Sequence, residues 1–364
     1  MYTIKTVILI GAGHAHLYCL KMVEKANLND IKFILISPSP YQYYSGMFSG
    51  YTEGIYSIDD IRIDVRQLSK HSSFEFVEDH VIKVSPVSKY VECSKGHNIQ
   101  FDVISFDIGS IGEKPSSFSK EIFPIKPTYM FSDSVNLLRE KENPIIVGGG
   151  ASGFELALAI KAFQLTQRKL NATVTLVSSK QLLSGYNDKI SKTTKEIAIR
   201  KGVIIHENEP VIDVFDSKII TKSGLTLSYD GLLWLTGPKA PLLFKHSNLT
   251  VNETGYLVTN RFLQSVQYPY IFGAGDCVSL VEYPTLPKNG VNAIRQSPIL
   301  WRNILSYLKE MLLVPFQPQK NYLSILSTGQ KQGLLLYNNF YFHHKSAWLL
   351  KNRIDRRFIR KYKK

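Results

Sequence analysis

NPIIVGGGASGFELALAI, residues 143 to 160, is the stretch whose reading decides the fold. An apolar strand-like run enters Gly148, Gly150 and Gly153, a complete G-x-G-x-x-G, and continues as an apolar helix. In such a junction the first glycine permits a tight turn and the second lets the backbone come close to a pyrophosphate. The third allows close packing of helix on strand. The amides running through Ala151 and Ser152, at the positive end of the helix, then form the cradle for the anion. A second apolar strand, ATVTLVS at 172 to 178, completes a β-α-β unit.

The same pattern occurs earlier. TVILIGAGHAH, from residue 6, is a strand followed by Gly11 and Gly13, with His14 and Ala15 in the turn and His16 where the third glycine would stand. IKFILIS, 31 to 37, is its second strand. Two such units predict an α/β protein with two Rossmann-like, doubly wound sheets and two dinucleotides bound; a purely structural double repeat is the competing reading. An acid ending the second strand would bond the adenosine ribose, but Ser37 ends it in the first unit and Ser178-Ser179-Lys180 in the second. The absence of a repelling acid and the nearby cation lean toward NADPH over NADH, although Lys180 also reads as an ordinary exposed lysine.

Composition leaves few other classes open. The chain has 364 residues, enough for more than one core, and its 44% hydrophobic and 20% charged content is that of a globular protein. No apolar run is long enough to span a bilayer, and no secretory leader is expected. Cys19, Cys93 and Cys277 lie far apart, which suits a reducing compartment and argues against a dithiol or a zinc site. His14 and His16 lie two apart on a helix and point to different sides, so no metal is expected there. His343-His344 reads as structural.

The net charge of +14 concentrates in KNRIDRRFIRKYKK, 351 to 364, with eight Lys or Arg and one Asp. Trp348, Leu349, Leu350, Ile354, Phe358, Ile359 and Tyr362 are interleaved with these charges or precede them. That pattern predicts a helix lying in the interface of an anionic membrane, against the alternatives of a solvated terminus or a nucleic-acid tail. No nucleic-acid motif accompanies it, so no nucleic-acid partner is expected.

A third signal comes in YPYIFGAGDCVSL, 268 to 280, where a strand ends in Gly273-Ala274-Gly275-Asp276. A carboxylate at such a strand end can accept hydrogen bonds from flavin ribityl hydroxyls. With this motif the chain resembles the two-dinucleotide-binding-domain flavoproteins of the pyridine nucleotide-disulfide oxidoreductase superfamily. In that family an FAD domain is split by an inserted NAD(P)H domain. VISFDIGS, 103 to 110, with Gly109, resembles the strand and turn before the insertion; LLWLTGPKAP, 232 to 241, with Gly237, resembles the return strand. The resemblance implies an FAD domain over 1 to 124 and 246 to 310, an NAD(P)H domain over 125 to 245, and a C-terminal region over 311 to 364. In the last of these, YLSILSTGQKQGLLLY reads as a hairpin.

Disulfide reductases of the superfamily carry a cysteine pair after the first ribose strand, where this chain has SPSPYQYYSGMFSGYTEG, 37 to 54. GAGHAH, YSGM, DDIRIDVRQL, LPKNGVNAIRQSPILWRNI and IDRRFIRKY make the chain similar to the type II NADH dehydrogenase-like branch. They make it more similar still to shorter relatives, including the flavoprotein domain fused to selenide, water dikinase. PKNGVNAIRQ departs from the respiratory enzymes' motif after GD, and Ala159 stands where they have a second glutamate.

The resemblance implies hydride transfer from NADH or NADPH to FAD, then electron transfer to an acceptor. It places Glu155 near the nicotinamide and flavin. Lys288 and the amides of Asn289, Gly290 and Val291 would face the flavin edge, and Tyr44, Ser45 and Gly46 would border the ring. Three functions follow: an NAD(P)H oxidoreductase using a quinone, a soluble reductase serving a protein or a small sulfur or selenium compound, and a nucleotide-sensing module without turnover. A homodimer, and a cytoplasmic location with peripheral attachment to the inner face of the cell membrane, complete the expectations.

Overall fold

The computed structural model describes residues 4–26, 28–70, 74–113, 115 and 122–363. Lys364 of the basic tail, and residues 1–3 and 116–121 of the first expected domain, lie outside them.

The first apolar run forms β1 (Lys5–Ile10), which leads through the glycine turn into α1 (His14–Lys25) and then β2 (Ile31–Ser37). Two further strands, β3 (Phe74–Glu78) and β4 (Val103–Phe106), precede the second unit. That unit contains β5 (Ile122–Phe123), β6 (Pro144–Val147), α2 (Ala151–Thr166), β7 (Thr175–Val177), β8 (Ile204–His206) and β9 (Gly231–Trp234). The chain then returns to the first sheet as β10 (Ile271–Gly273).

The first sheet has the order β3-β2-β1-β4-β10 and the second β8-β7-β6-β9-β5, with every pairing parallel. Strands covered on both faces need apolar residues at successive positions rather than alternating ones. Val7, Ile8 and Leu9 are accordingly all buried, as are Ile145, Ile146 and Val147. Ile122–Phe123, which the expected boundary at 124 leaves in the first unit, pairs within the second sheet.

Both units reverse strand order beside their first strand, between β1 and β4 and between β6 and β9. Ligands of open α/β sheets bind in that crevice. The register is the same in the two copies: Ile10 lies beside Phe106, and Val147 beside Trp234. Asp107 in the first unit therefore occupies the place of Leu235 in the second. Gly109 and Gly237, two residues further on, border the antiparallel crossover in which Ile111–Gly112 pairs with Pro238–Lys239.

Beyond the turn after β10, α3 (Gly290–Leu308) packs against α1. The expected hairpin forms as β11 (Ser324–Ser327) and β12 (Gly333–Tyr337) and gains a third strand, β13 (Phe340–His344). His344 caps α4 (Lys345–Arg360) by accepting from the Ser346 amide, and His343 bonds Thr328, so this histidine pair is tied into the backbone and its neighbours. Helix α4 packs on this sheet. Trp348, Phe358, Ile359 and Tyr362 are buried in protein, leaving only Leu349, Leu350 and Ile354 of the expected membrane-facing set exposed. From sequence alone, an aromatic face covered by protein looks the same as one covered by lipid.

Candidate nucleotide-binding and redox site

The second glycine turn is open. Gly148 has φ +129°, and a Cβ there would stand 2.3 Å from the Leu235 carbonyl oxygen, so both conformation and space require glycine. A Cβ at Gly153 would lie 1.9 Å from the Gly148 carbonyl oxygen, which is the close helix-strand contact expected of the third glycine. Gly150 is the N-cap of α2, supplies no side-chain cap and has clear space where a Cβ would project. Ala151 and Ser152 beside it are exposed. An uncapped helix N-terminus on a glycine turn fits a nucleotide pyrophosphate. At the end of β7, Ser178 is buried and Lys180 exposed. The carboxylate of Glu207 is engaged by the Leu182 amide at 2.7 Å and by Lys195 at 2.9 Å.

The first turn has the same backbone with different side chains. Gly11 has φ +84°, and a Cβ on it would meet the Asp107 carbonyl oxygen at 2.5 Å. His16, at the third-glycine position, is fully buried. Its Nδ1 lies 2.6 Å from the Gly11 carbonyl oxygen and its Nε2 2.8 Å from Ser105 Oγ. A carbonyl only accepts, so Nδ1 carries the proton and Nε2 accepts from the serine. Burial lowers the pKa of this imidazole to about 4, against the opposing bond to Gly11, and keeps the ring neutral. Where the second unit brings Gly153 against a carbonyl, the first bridges the corresponding gap with a ring.

Gly13 is the N-cap of α1. Here the carboxylate of Asp107 takes the free amides, accepting from Ala15 at 2.7 Å and His16 at 3.1 Å. This carboxyl group occupies donors that suit a phosphate. The backbone and donor set therefore fit the pyrophosphate of FAD, with one side chain in its way. Ser37, at the end of β2, is buried. His14 packs against both Tyr44 and Phe358, with ring centroids 5.6 and 5.5 Å away.

Asp276 lies in the 3-10 turn Gly275–Cys277, where the Gly275 amide donates to Gln296 of α3 at 2.7 Å. Burial raises the Asp276 pKa, and Lys126 and Lys288 oppose the shift. Lys288 donates to the Val278 carbonyl and lies over the Tyr256 ring, 4.4 Å from its centroid. Gly290 and Val291 begin α3 behind the N-cap Asn289, and Gly290 faces the His14 ring.

The two units meet at Glu155, the fifth residue of α2. Its Oε1 accepts from Ser49 Oγ at 3.2 Å and from the Ser327 amide at 2.6 Å. Burial pushes its pKa up; Lys351, then the Ser327 and Ser49 hydrogen bonds, work against that. Lys351 comes from α4, donates to the Gly46 carbonyl and pairs with Asp355 at 2.8 Å. Burial disfavours the Lys351 charge, but Asp355 and Glu155 outweigh it and hold its pKa above the usual lysine value. Tyr44 donates its hydroxyl to Asp355 at 3.0 Å and stacks on Phe358, with centroids 4.4 Å apart. Ser45 and Gly46 form the short 3-10 turn beneath them.

In the sequence Lys351, Asp355 and Phe358 read as parts of a basic tail, and Asp107 as part of the strand and turn of VISFDIGS. The available signals were the i, i+4 Lys-Asp pair on the apolar face of a helix and the acid directly after β4. All three cysteines are free and buried. Among the described residues, no group of His, Cys, Asp or Glu is placed to hold a metal, and no helix is long and apolar enough to cross a membrane.

Known proteins fit this geometry. Ferroptosis suppressor protein 1 of Taeniopygia guttata is 25% identical over 76% of this chain and 75% of its own length. The type II NADH:quinone oxidoreductase of Haemophilus influenzae is 22% identical over 86% of this chain and 83% of its own. The solved structure of NDH2 from Plasmodium falciparum in complex with NADH shares the fold with a TM-score of 0.82 at 15% identity, covering 99% of this chain and 97% of that one. The family model described as pyridine nucleotide-disulphide oxidoreductase matches residues 5–297. The chain thus belongs to that family of FAD- and NAD(P)H-binding proteins and is an NAD(P)H-dependent flavoprotein oxidoreductase.

Proposed function

We propose that this protein transfers electrons from NAD(P)H to a quinone, with no redox-active disulfide in the path. The observation that carries this reading is the convergence on Glu155 of α2, the Tyr44–Thr52 segment and α4: one buried acid touches both nucleotide units and the C-terminal region. When bound, FAD supplies acceptance of a hydride and release of two electrons to a second substrate. The open turn at Gly148, Gly150 and Gly153 holds the nicotinamide nucleotide, with Ser178 and Lys180 beside its ribose. The first turn, Ser37 and Asp276 hold the flavin nucleotide.

Reduction of a quinone consumes protons, and the Glu155, Lys351 and Asp355 cluster is suited to hold and deliver them. Its acids are pushed toward the protonated form by burial, and its lysine stays cationic between them. The free, buried cysteines support a route without a dithiol. The quinone-reducing relative supports the acceptor. Leu349, Leu350 and Ile354 are exposed on α4 beside Arg353, Arg357 and Arg360, and this face meets an anionic membrane where such an acceptor resides.

The test is anaerobic reduction of the flavin-loaded protein with NADH or NADPH, followed by a soluble quinone. Bleaching and then reoxidation are expected. Failure to bleach with either nucleotide rejects the proposal, and bleaching without reoxidation by quinone moves the acceptor to a protein or a small sulfur or selenium compound.

A further inference from the structure

The two glycine turns share backbone and register but differ in one side chain. In the second unit the residue after β9 is Leu235, and the N-terminus of α2 has no side-chain cap. In the first unit the equivalent residue is Asp107, 4% exposed, with its carboxylate on the Ala15 and His16 amides. The carboxylate fills the turn: a Cβ on Gly13 would stand 2.2 Å from it, and one on Gly275 2.6 Å from its Oδ1.

We propose that Asp107 controls the pH dependence of FAD binding: its carboxyl group yields the α1 amides to the cofactor's pyrophosphate and must be neutral to remain beside it. This rests on the reading of the first turn as the flavin nucleotide site. Two anions cannot share two amides in a buried crevice without large repulsion, and among the described residues no cation forms an ion pair with Asp107. A neutral carboxyl removes that repulsion and offers one O–H to a phosphate oxygen.

The surroundings suit the neutral form. Burial pushes the Asp107 pKa up to about 7, with Asp276 adding to the shift and the His16 and Ala15 amides opposing it. The other groups facing it are Cys19 and His16 on α1 and Cys277 in the turn after β10; Lys126 and Lys288 act on Asp276. The thiols of Cys19 and Cys277 are pushed up by burial and then by the Asp107 charge itself, so they stay neutral and do not compensate it. Binding is then an exchange of anions accompanied by uptake of a proton.

The test is titration of FAD into the full chain from about pH 6 to about pH 9, read by flavin fluorescence, with wild type beside Asp107→Asn. Wild-type affinity is expected to fall about tenfold for each pH unit above about 7. Asp107→Asn is expected to lose that slope and to bind FAD at least about tenfold more tightly at about pH 8. Calorimetry of the wild type in two buffers of different ionisation enthalpy reads the proton without any variant, and uptake approaching one per FAD is expected on the alkaline side. Equal affinity and slope in both proteins, or no proton uptake, overturns the role of Asp107 while the flavin site stands. No FAD binding by either protein at any pH overturns both.

Discussion

At the scale of single residues, the site is made of buried titratable groups whose environments set their protonation. His16 is neutral in the fold, its pKa lowered from 6.5 to about 4. Its contribution to stability is complete above 6.5 and is lost as pH falls toward 4, because only the unfolded chain takes the proton readily. Asp107 runs the opposite way, so each variant is compared with wild type at the same pH. The destabilisation caused by His16→Asn should shrink by about 2 kcal/mol between about pH 6.5 and about pH 5, read from urea midpoints. A constant difference would mean that the ring is not held neutral. Glu155→Gln keeps an acceptor for Ser49 and Ser327 and removes the charge facing Lys351. We expect little change in thermal midpoint and a loss of about tenfold to a hundredfold in quinone-dependent turnover. Unchanged turnover would remove Glu155 from the chemistry.

At the scale of elements, the glycine turns and their strands were legible because each is local: strand, turn and helix are written in consecutive residues. The partners of His16 were not, since Ser105 lies on a different strand and the contact exists only once β4 pairs with β1. The C-terminal helix shows the same limit. Its apolar and charged residues were visible, yet periodicity does not say whether an apolar face meets lipid or protein. In the structure one face of α4 is covered by protein and the other leaves apolar side chains exposed. Its inner face carries Phe358 into the aromatic stack with Tyr44, so Phe358→Ala should cost about 3–5 kcal/mol in unfolding experiments. Its outer face has Leu349, Leu350 and Ile354 exposed among arginines. Replacing these three by serine should leave the thermal midpoint near wild type and reduce sedimentation with anionic liposomes at low salt by about tenfold. Undiminished binding would place the membrane contact elsewhere.

At the scale of the whole molecule, two copies of one nucleotide fold are arranged so that their helix N-termini differ in what they already hold. α1 is capped by an internal carboxylate and α2 is not. The difference predicts that the copies can be separated by one charge. Gly150 has φ −75° and ψ −179°, ordinary N-cap values, and nothing stands where its Cβ would go. Asp is among the preferred N-cap residues, so Gly150→Asp should fold at least as well as wild type, within a few tenths of a kcal/mol. The same carboxylate would sit on the amides proposed for the nicotinamide nucleotide, giving α2 the arrangement that α1 has from Asp107. Unlike Asp107, it would be exposed to solvent and remain ionised at neutral pH, so it would repel the pyrophosphate throughout. The variant should therefore retain FAD, and once its flavin is reduced by light it should still reoxidise with quinone, yet it should not bleach with NADH or NADPH. A variant that bleaches normally would show that the second turn is not where the nicotinamide nucleotide is held. One that loses FAD would show that the two copies depend on each other, against the independence their separate sheets imply.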